Sequence, residues 1–231
     1  MSNPLASHPP HILALLQRLH AESSAQESAL PPSTYTTPAT GAFHTLMRDK
    51  FIALEQDKCL FLYQLARSLH ATTIVEAGTS YGVSTIYLAL AVADNLAHPR
   101  APSDAHATGT VIATEYEPAK AAQARAHWAE CGDPVRGVID LREGDLRETL
   151  KEGVPDGVDL LLLDIWTPMA LPTLKLVQPR LRPGAVIVAD NTASSAAGYE
   201  EFLEYVRAPG SGFSCLTLPY KGGLEMIVYS P

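Results

Sequence analysis

The sequence predicts an α/β protein: a doubly wound, Rossmann-like sheet of five parallel strands plus a C-terminal antiparallel hairpin, with extra N-terminal helices. Three observations predict it. From Thr73 onward, short apolar runs alternate with helical patterns, as a parallel sheet with helices on its faces requires. Several runs are continuously apolar, such as Leu160 to Leu163 and Val186 to Val188, which suits strands covered on both faces. The last two runs are separated by Pro219 to Gly223, and the Gly222-Gly223 pair marks a hairpin turn.

At the N-terminus, Ile12, Leu13, Leu15, Leu16 and Leu19 have helical spacing, so a helix is expected over His11 to His20. A polar, proline-rich connector should follow from Glu22 to Thr40, as a disordered segment or as a lid. Helices are expected over Phe43 to Leu54 and over Lys58 to Leu69. In the second, Asp57 is a candidate N-cap and Leu62, Leu65, Ala66 and Leu69 share a face. Residues 1–56 therefore read as a helical arm or lid, and residues 57–231 as the main domain. There the first strand is Thr73 to Ala77, followed by a helix from Ser80 to Asn95 and a surface loop from Ala97 to Thr108. Strand two is Thr110 to Thr114, and Pro118 opens the next helix, which runs to Glu130. Strand three is Val138 to Leu141, and strand four Val158 to Leu163 with a helix reaching Leu181. Arg182-Pro183-Gly184 turns into strand five, Ala185 to Ala189. A helix over Tyr199 to Arg207 precedes the hairpin strands Phe213 to Leu218 and Leu224 to Tyr229.

The 231 residues suit one domain with a large core. A net charge of −8 argues against a nucleic-acid or anionic-membrane partner and fits a small ligand. Cys59, Cys131 and Cys215 are far apart and odd in number, with no zinc or disulfide spacing, so a reducing, cytoplasmic setting and buried apolar roles are expected. The first residues carry neither a basic nor an apolar leader region.

The stretch Thr73 to Thr85 organises the chain. A β-branched strand ends in Glu76 and Ala77, and Gly78 and Gly82 bracket a turn. Ser80 or Ser84 is the expected cap of the helix that follows. A glycine turn feeding a helix N-terminus suits a nucleotide-type ligand, since unpaired N–H groups point outward there. The spacing is Glu-x-Gly-x-x-x-Gly, not the dinucleotide Gly-x-Gly-x-x-Gly. Acids also stand at or just past the carboxyl ends of every parallel strand: Glu76, Glu115, Asp145, Asp164 and Asp190. Ligands of open α/β sheets bind at that edge. Each acid taken alone reads equally as a helix cap or turn residue. Together they predict a cleft of negative potential for a ligand bearing positive charge, hydroxyls or a metal ion.

These residues carry a family resemblance. Glu76, Gly78 and Gly82 resemble motif I of the class I S-adenosylmethionine-dependent methyltransferases. Leu163-Asp164-Ile165-Trp166 and Val188-Ala189-Asp190-Asn191 resemble the metal motifs of the cation-dependent O-methyltransferases, the catechol branch most closely. The similarity runs from about Asp57 to the C-terminus. It implies methyl transfer from S-adenosylmethionine to a hydroxyl of a small catechol-like or other hydroxylated acceptor. It implies cofactor contacts from Glu76, Gly78, Ser80, Tyr81, Gly82, Ser84, Glu115 (ribose), Asp145 (adenine), Asp164 and Trp166. It implies Mg²⁺ or another divalent cation on Asp164, Asp190 and Asn191, which offer the hard oxygens such ions take. It also allows a homodimer. For Asp164, Asp190 and Asn191 the competing reading is a set of turns and caps; for Trp166 it is a core tryptophan.

One departure stands out. The family lysine three residues after the first metal Asp is Thr167 here, and Lys175 lies two helical turns on. The metal alone acidifies the acceptor, or an N-terminal residue (Tyr35, His44 or Lys58) is the base, or the acceptor is not a catechol. Lys58 reads equally as a surface helix residue and His44 as a loop residue. The catalytic base is thus left unassigned, and a cofactor-binding protein without methyl transfer is the alternative function.

Overall fold

A computed structural model describes residues 3–31, 45–101 and 108–231 of the chain. Seven strands form one sheet: β1 (Thr73–Ala77), β2 (Thr110–Glu115), β3 (Ile139–Glu143), β4 (Val158–Leu163), β5 (Leu181–Asp190), β6 (Phe213–Leu218) and β7 (Leu224–Tyr229). Their order is β3-β2-β1-β4-β5-β7-β6. The first five are parallel, and β7 runs antiparallel between β5 and β6. The predicted architecture therefore holds. The chain winds outward from β1 to β3, then returns to β4 on the other side of β1. A crevice must open at that reversal, at the carboxyl ends of β1 and β4.

Side chains alternate across the pleat, so each strand feeds two apolar layers. Ile74, Val111, Leu160, Leu162 and Val188 enter one layer with the helices α1 (Pro10–Ser28), α2 (Gln56–Leu69), α3 (Val83–Ala97) and Trp128 of α4 (Pro118–Cys131). Val75, Ile112, Leu161, Leu163 and Ile187 enter the other. There they meet Leu146 of α6 (Leu146–Thr149), Leu174 of α7 (Ala170–Val177) and Phe202 of α8 (Glu200–Arg207). A short α5 (Asp133–Arg136) packs Val135 into the first layer. Leu15, Leu16 and Leu19 of α1 lie in that same layer, so the N-terminal helix shares the core of the sheet. Cys59 and Cys131 are buried and Cys215 is half-buried.

The structure corrects several sequence expectations. Helix α1 continues to Ser28, since the residues from Glu22 carry no breaker before Pro31. The expected helix over Phe43 to Leu54 is reduced, in its described part, to one turn at 45–47, and 50–55 has no regular secondary structure. Its amides are drawn off by side chains of α1: Phe51 N donates to Gln26 Oε1 (2.6 Å) and Ala53 N to Ser23 Oγ (2.7 Å). The N-cap of α2 is Glu55 rather than Asp57. Helix α3 begins at Val83 with Gly82 as N-cap and no capping side chain, so neither Ser80 nor Ser84 caps it. The helix after β4 is broken into a 3₁₀ turn Thr167–Met169, α7 and a second 3₁₀ turn Gln178–Arg180. The last helix likewise opens with a 3₁₀ turn, Ala196–Tyr199. Strand β5 has 10 residues. Arg182-Pro183-Gly184 is a bulge inside it, where the register jumps from Val158↔Leu181 to Leu160↔Val186. Tyr35 and His44 lie outside the described residues.

Candidate active site

The glycine turn sits at the mouth of the crevice. Gly78 has φ 95°, and a Cβ there would lie 1.9 Å from the backbone oxygen of Asp164. The amide of Asp164 donates to Ala77 O at 3.0 Å, so the ends of β1 and β4 pass in direct contact. Gly82 has φ 78°, and a Cβ there would meet Trp128 Nε1 at 2.5 Å. Trp128 Nε1 donates to Gly82 O (2.9 Å), and His127 Nδ1 lies 2.9 Å from Tyr81 O. Close internal packing alone therefore requires both glycines.

Glu76 is fully buried. It accepts hydrogen bonds from Thr79 Oγ1 (3.1 Å), Ser84 Oγ (2.6 Å) and Thr85 Oγ1 (2.5 Å). Burial raises its pKa, with the three hydroxyls pulling the other way. Its carboxylate knits the turn to the first turn of α3, which puts Ser84 beneath the turn as well.

Glu115, at the end of β2, faces the outer side of the turn. Its Oε2 accepts from Ser80 N (2.7 Å) and its Oε1 from Glu117 N (2.8 Å). Burial raises its pKa, opposed by those amides and by Lys120. Ser80 has φ 49° and a buried hydroxyl without a partner among the described residues. Tyr81 stacks on Phe51, ring centroids 4.4 Å apart.

Asp145 stands somewhat apart. It caps α6 and takes Arg147 Nη2 at 2.6 Å, and that hydrogen bond lowers its pKa. Trp166 is 37% exposed and precedes the 3₁₀ turn, so it is not a core tryptophan. Thr167 lies against Gly198, where a Cβ would come within 2.1 Å of Thr167 Oγ1. Lys175 Nζ is 5.3 Å from the centre of the Tyr205 ring and so points away from the crevice.

Asp164 and the glycine turn line a narrow cleft of about 10 Å³, roofed by Phe51, Ile52, Ala53 and Leu54. Burial raises the Asp164 pKa far above the ordinary carboxylate range. The charges of Asp190 and Glu76 add to the rise and Lys58 opposes it.

Asp190, at the end of β5, is 3% exposed. Its Oδ2 lies 2.9 Å from Asn191 Nδ2, and its Oδ1 accepts from Lys58 Nζ at 2.6 Å. Lys58 is fully buried, not a surface residue, and also pairs with Glu55 Oε2 at 2.8 Å. Burial disfavours its charge, but the hydrogen bonds it donates to Asp190 and Glu55, with the charges of those carboxylates, raise the pKa. Asn191 has φ 60°, and Gly222 of the hairpin packs on its side-chain oxygen.

Among the described residues no group of three or more His, Cys, Asp or Glu side chains could hold a metal. The candidate triad of Asp164, Asp190 and Asn191 includes an amide. The ends of that amide are assigned by hydrogen bonding alone. As hydrogen-bonded here, the amide nitrogen faces Asp190 Oδ2 at 2.9 Å and the amide oxygen accepts from Ser194 Oγ at 3.3 Å; two carboxylates and an amide oxygen are nonetheless the donor types a hard cation takes. The donor set fits a hard cation.

The sequence reading missed the roof at 51–54, the Trp128 and His127 clamps, and the burial of Lys58. The last had a signal: Lys58 falls on the same helical stripe as Leu62, Leu65 and Leu69.

Comparison with known proteins gives a consistent picture. A family model described as a methyltransferase domain matches residues 75–192. A catechol O-methyltransferase of Niastella koreensis is 29% identical over 143 residues, 61% of this chain and 58% of the relative. Catechol O-methyltransferase B of Danio rerio is 31% identical over 173 residues, 73% of this chain and 59% of the relative. The matched stretches thus span under two thirds of these relatives' length. An O-methyltransferase of Streptomyces achromogenes, solved with SAM, superposes with a TM-score of 0.66 at 23% identity, covering 94% of this chain and 99% of that one. The O-methyltransferase of Bacillus cereus, solved with SAH, gives 0.67 at 20% identity, covering 93% and 100%. At these identities the two structures speak for the fold.

Proposed function

Since the chain belongs to the family of methyltransferase domains, we propose that it transfers a methyl group from S-adenosylmethionine to a hydroxyl oxygen of a small molecule. The observation that carries this is the join of the glycine turn to Glu115 and Asp164 at one crevice. The turn, clamped from inside by Glu76 and Trp128, would receive the amino-acid end of the cofactor. Glu115 would accept the two ribose hydroxyls, a task for which a carboxylate has the lone pairs. The roof residues Phe51 to Leu54 and the exposed face of Trp166 would wall the adenosine and acceptor, and Asp145 would lie toward the adenine. Residues 1–56 would act as the cover of the site. The acceptor oxygen, its hydroxyl proton lost to solvent, would attack the methyl carbon in line as the C–S bond breaks, giving the methyl ether and S-adenosylhomocysteine. Holding the reacting atoms close and aligned supplies much of the acceleration.

The finer reading is a catechol-like acceptor with a divalent cation. Asp164, Asp190 and Asn191 would hold the ion. When bound, it would lower the hydroxyl pKa and steady the oxyanion. The named activity of the catechol relatives and the hard-oxygen donor set support this.

The test is calorimetry with S-adenosylhomocysteine, followed by methyl transfer to a panel of catechols and phenols with Mg²⁺ or with chelator. Glu115→Gln should weaken cofactor binding roughly tenfold to a hundredfold, the worth of one or two charge-assisted hydrogen bonds. No cofactor binding by the wild type, or unchanged affinity in the variant, would refute the assignment. Full turnover in chelator would remove the metal from it.

A further inference from the structure

We propose that the Lys58 ammonium is a resident counter-cation for Asp190, one that weakens this chain's hold on a divalent ion and lessens its need for one. The proposal rests on the reading of Asp164, Asp190 and Asn191 as the metal site. Lys58 lies on the apolar stripe of α2 and is fully buried. A lysine is kept in such a place only if its charge is answered. The answer comes from Asp190 Oδ1 at 2.6 Å and Glu55 Oε2 at 2.8 Å. One oxygen of a would-be metal ligand is thus already held by a positive charge. A divalent ion bound to the same carboxylate would sit within a few ångströms of the ammonium, and the two repel in a site shielded from water. Conversely, without any ion, the ammonium still answers the charge of Asp190. Lys58 acts through Asp190, so it is a positioning residue. Through Glu55, which adjoins the roof at 51–54, it also links the cover of the cleft to that acid.

Mn²⁺ binding, followed by paramagnetic resonance of the free ion, tests this in the wild type, Lys58→Met and Lys58→Arg, each with S-adenosylhomocysteine present. Lys58→Met should bind Mn²⁺ at least about tenfold more tightly than the wild type, and Lys58→Arg should stay near it. Melting temperature should rise on adding Mg²⁺ much more in Lys58→Met than in the wild type. Equal Mn²⁺ affinity in wild type and Lys58→Met overturns the proposal and leaves the metal site standing. Weaker binding by Lys58→Met overturns it too, because Lys58 then organises the ligands instead of opposing the ion. No binding by either protein sinks both the proposal and the metal site. A readout that does not depend on Lys58→Met folding is the Lys58 side-chain NMR signal of the wild type, assigned by its loss in Lys58→Arg. It should shift on titration with Mg²⁺, and a signal that stays in place overturns the proposal.

Discussion

Gly78→Ala should be among the costliest single-methyl changes in this protein. Gly78 has φ 95°, and the new Cβ would lie 1.9 Å from Asp164 O and 2.8 Å from Asp164 C. Those atoms must retreat by roughly 1 Å or more to reach van der Waals contact. They are poorly placed to do so: Asp164 N is bonded to Ala77 O, and the preceding residues of β4 are paired on both sides, to β1 and β5. A positive-φ backbone costs an alanine ~1–2 kcal/mol, and forced overpacking adds ~1–3 kcal/mol. The sum is about 2–5 kcal/mol, a large share of the ~5–15 kcal/mol that holds a typical domain together. Gly157 separates the two parts. It has φ 87° and, among the described residues, nothing within 4 Å of its would-be Cβ, so Gly157→Ala carries the backbone strain alone, about 1–2 kcal/mol. Urea denaturation of both variants reads the difference, which is the clash. Equal destabilisation would refute the claim that the ends of β1 and β4 require the glycine. The same variant should also bind S-adenosylhomocysteine less well, because the displaced peptide carries Asp164.

Three further outcomes follow from the contacts around the turn. Burial raises the Glu76 pKa above its ordinary 4.5, so the native state holds that proton more tightly than the unfolded chain. This contribution favours folding below pH 4.5 and is lost as pH rises through the raised value. Glu76→Gln should flatten the decline of unfolding free energy above pH 4.5, and an unaltered slope in denaturation curves would count against it. Trp128→Phe removes the bond to Gly82 O and should cost ~0.5–1.5 kcal/mol in urea denaturation; a variant as stable as wild type would show that the indole N–H does not matter. Ser23→Ala frees the Ala53 amide from α1; it should loosen the roof and speed exchange of that amide with deuterium, and an unchanged exchange rate would show that the roof is held otherwise.

What the sequence reveals about this fold depends on how local the cause is. The hairpin strands and β4 fall at their expected limits because alternation, continuous apolar runs and the Gly222-Gly223 pair act over a few residues. The segment 50–55 escapes such reading, since its amides are bonded to side chains 25 and 30 residues away. Lys58 and Asp190 are 132 residues apart, so only the oddity of a lysine on an apolar stripe hints at their pairing. Glu76 misleads in the opposite sense. Its place beside the glycines suggests a ligand contact, yet its oxygens are taken by three hydroxyls of the chain. The pattern at motif I is visible in sequence, but which of its members face inward is settled by tertiary packing.

That division bears on how a cofactor would enter. The turn is fixed from within by Glu76, Trp128 and the Asp164 backbone, so little ordering of the turn remains to oppose binding. The roof is different. The cleft it leaves has room for about 10 Å³, far below the ~300–1,000 Å³ of sites that enclose molecules of drug size. A ligand as large as an adenosyl amino acid must therefore displace Phe51 to Leu54. Phe51 would have to leave its stack on Tyr81, and the Gln26 and Ser23 bonds to the roof amides would break or stretch. Weakening those bonds removes a cost from the bound state and a cover from the free one. A rigid turn beneath a displaceable roof means that changes in the roof should act on association and release rates, whereas changes in the turn should act on stability and affinity together.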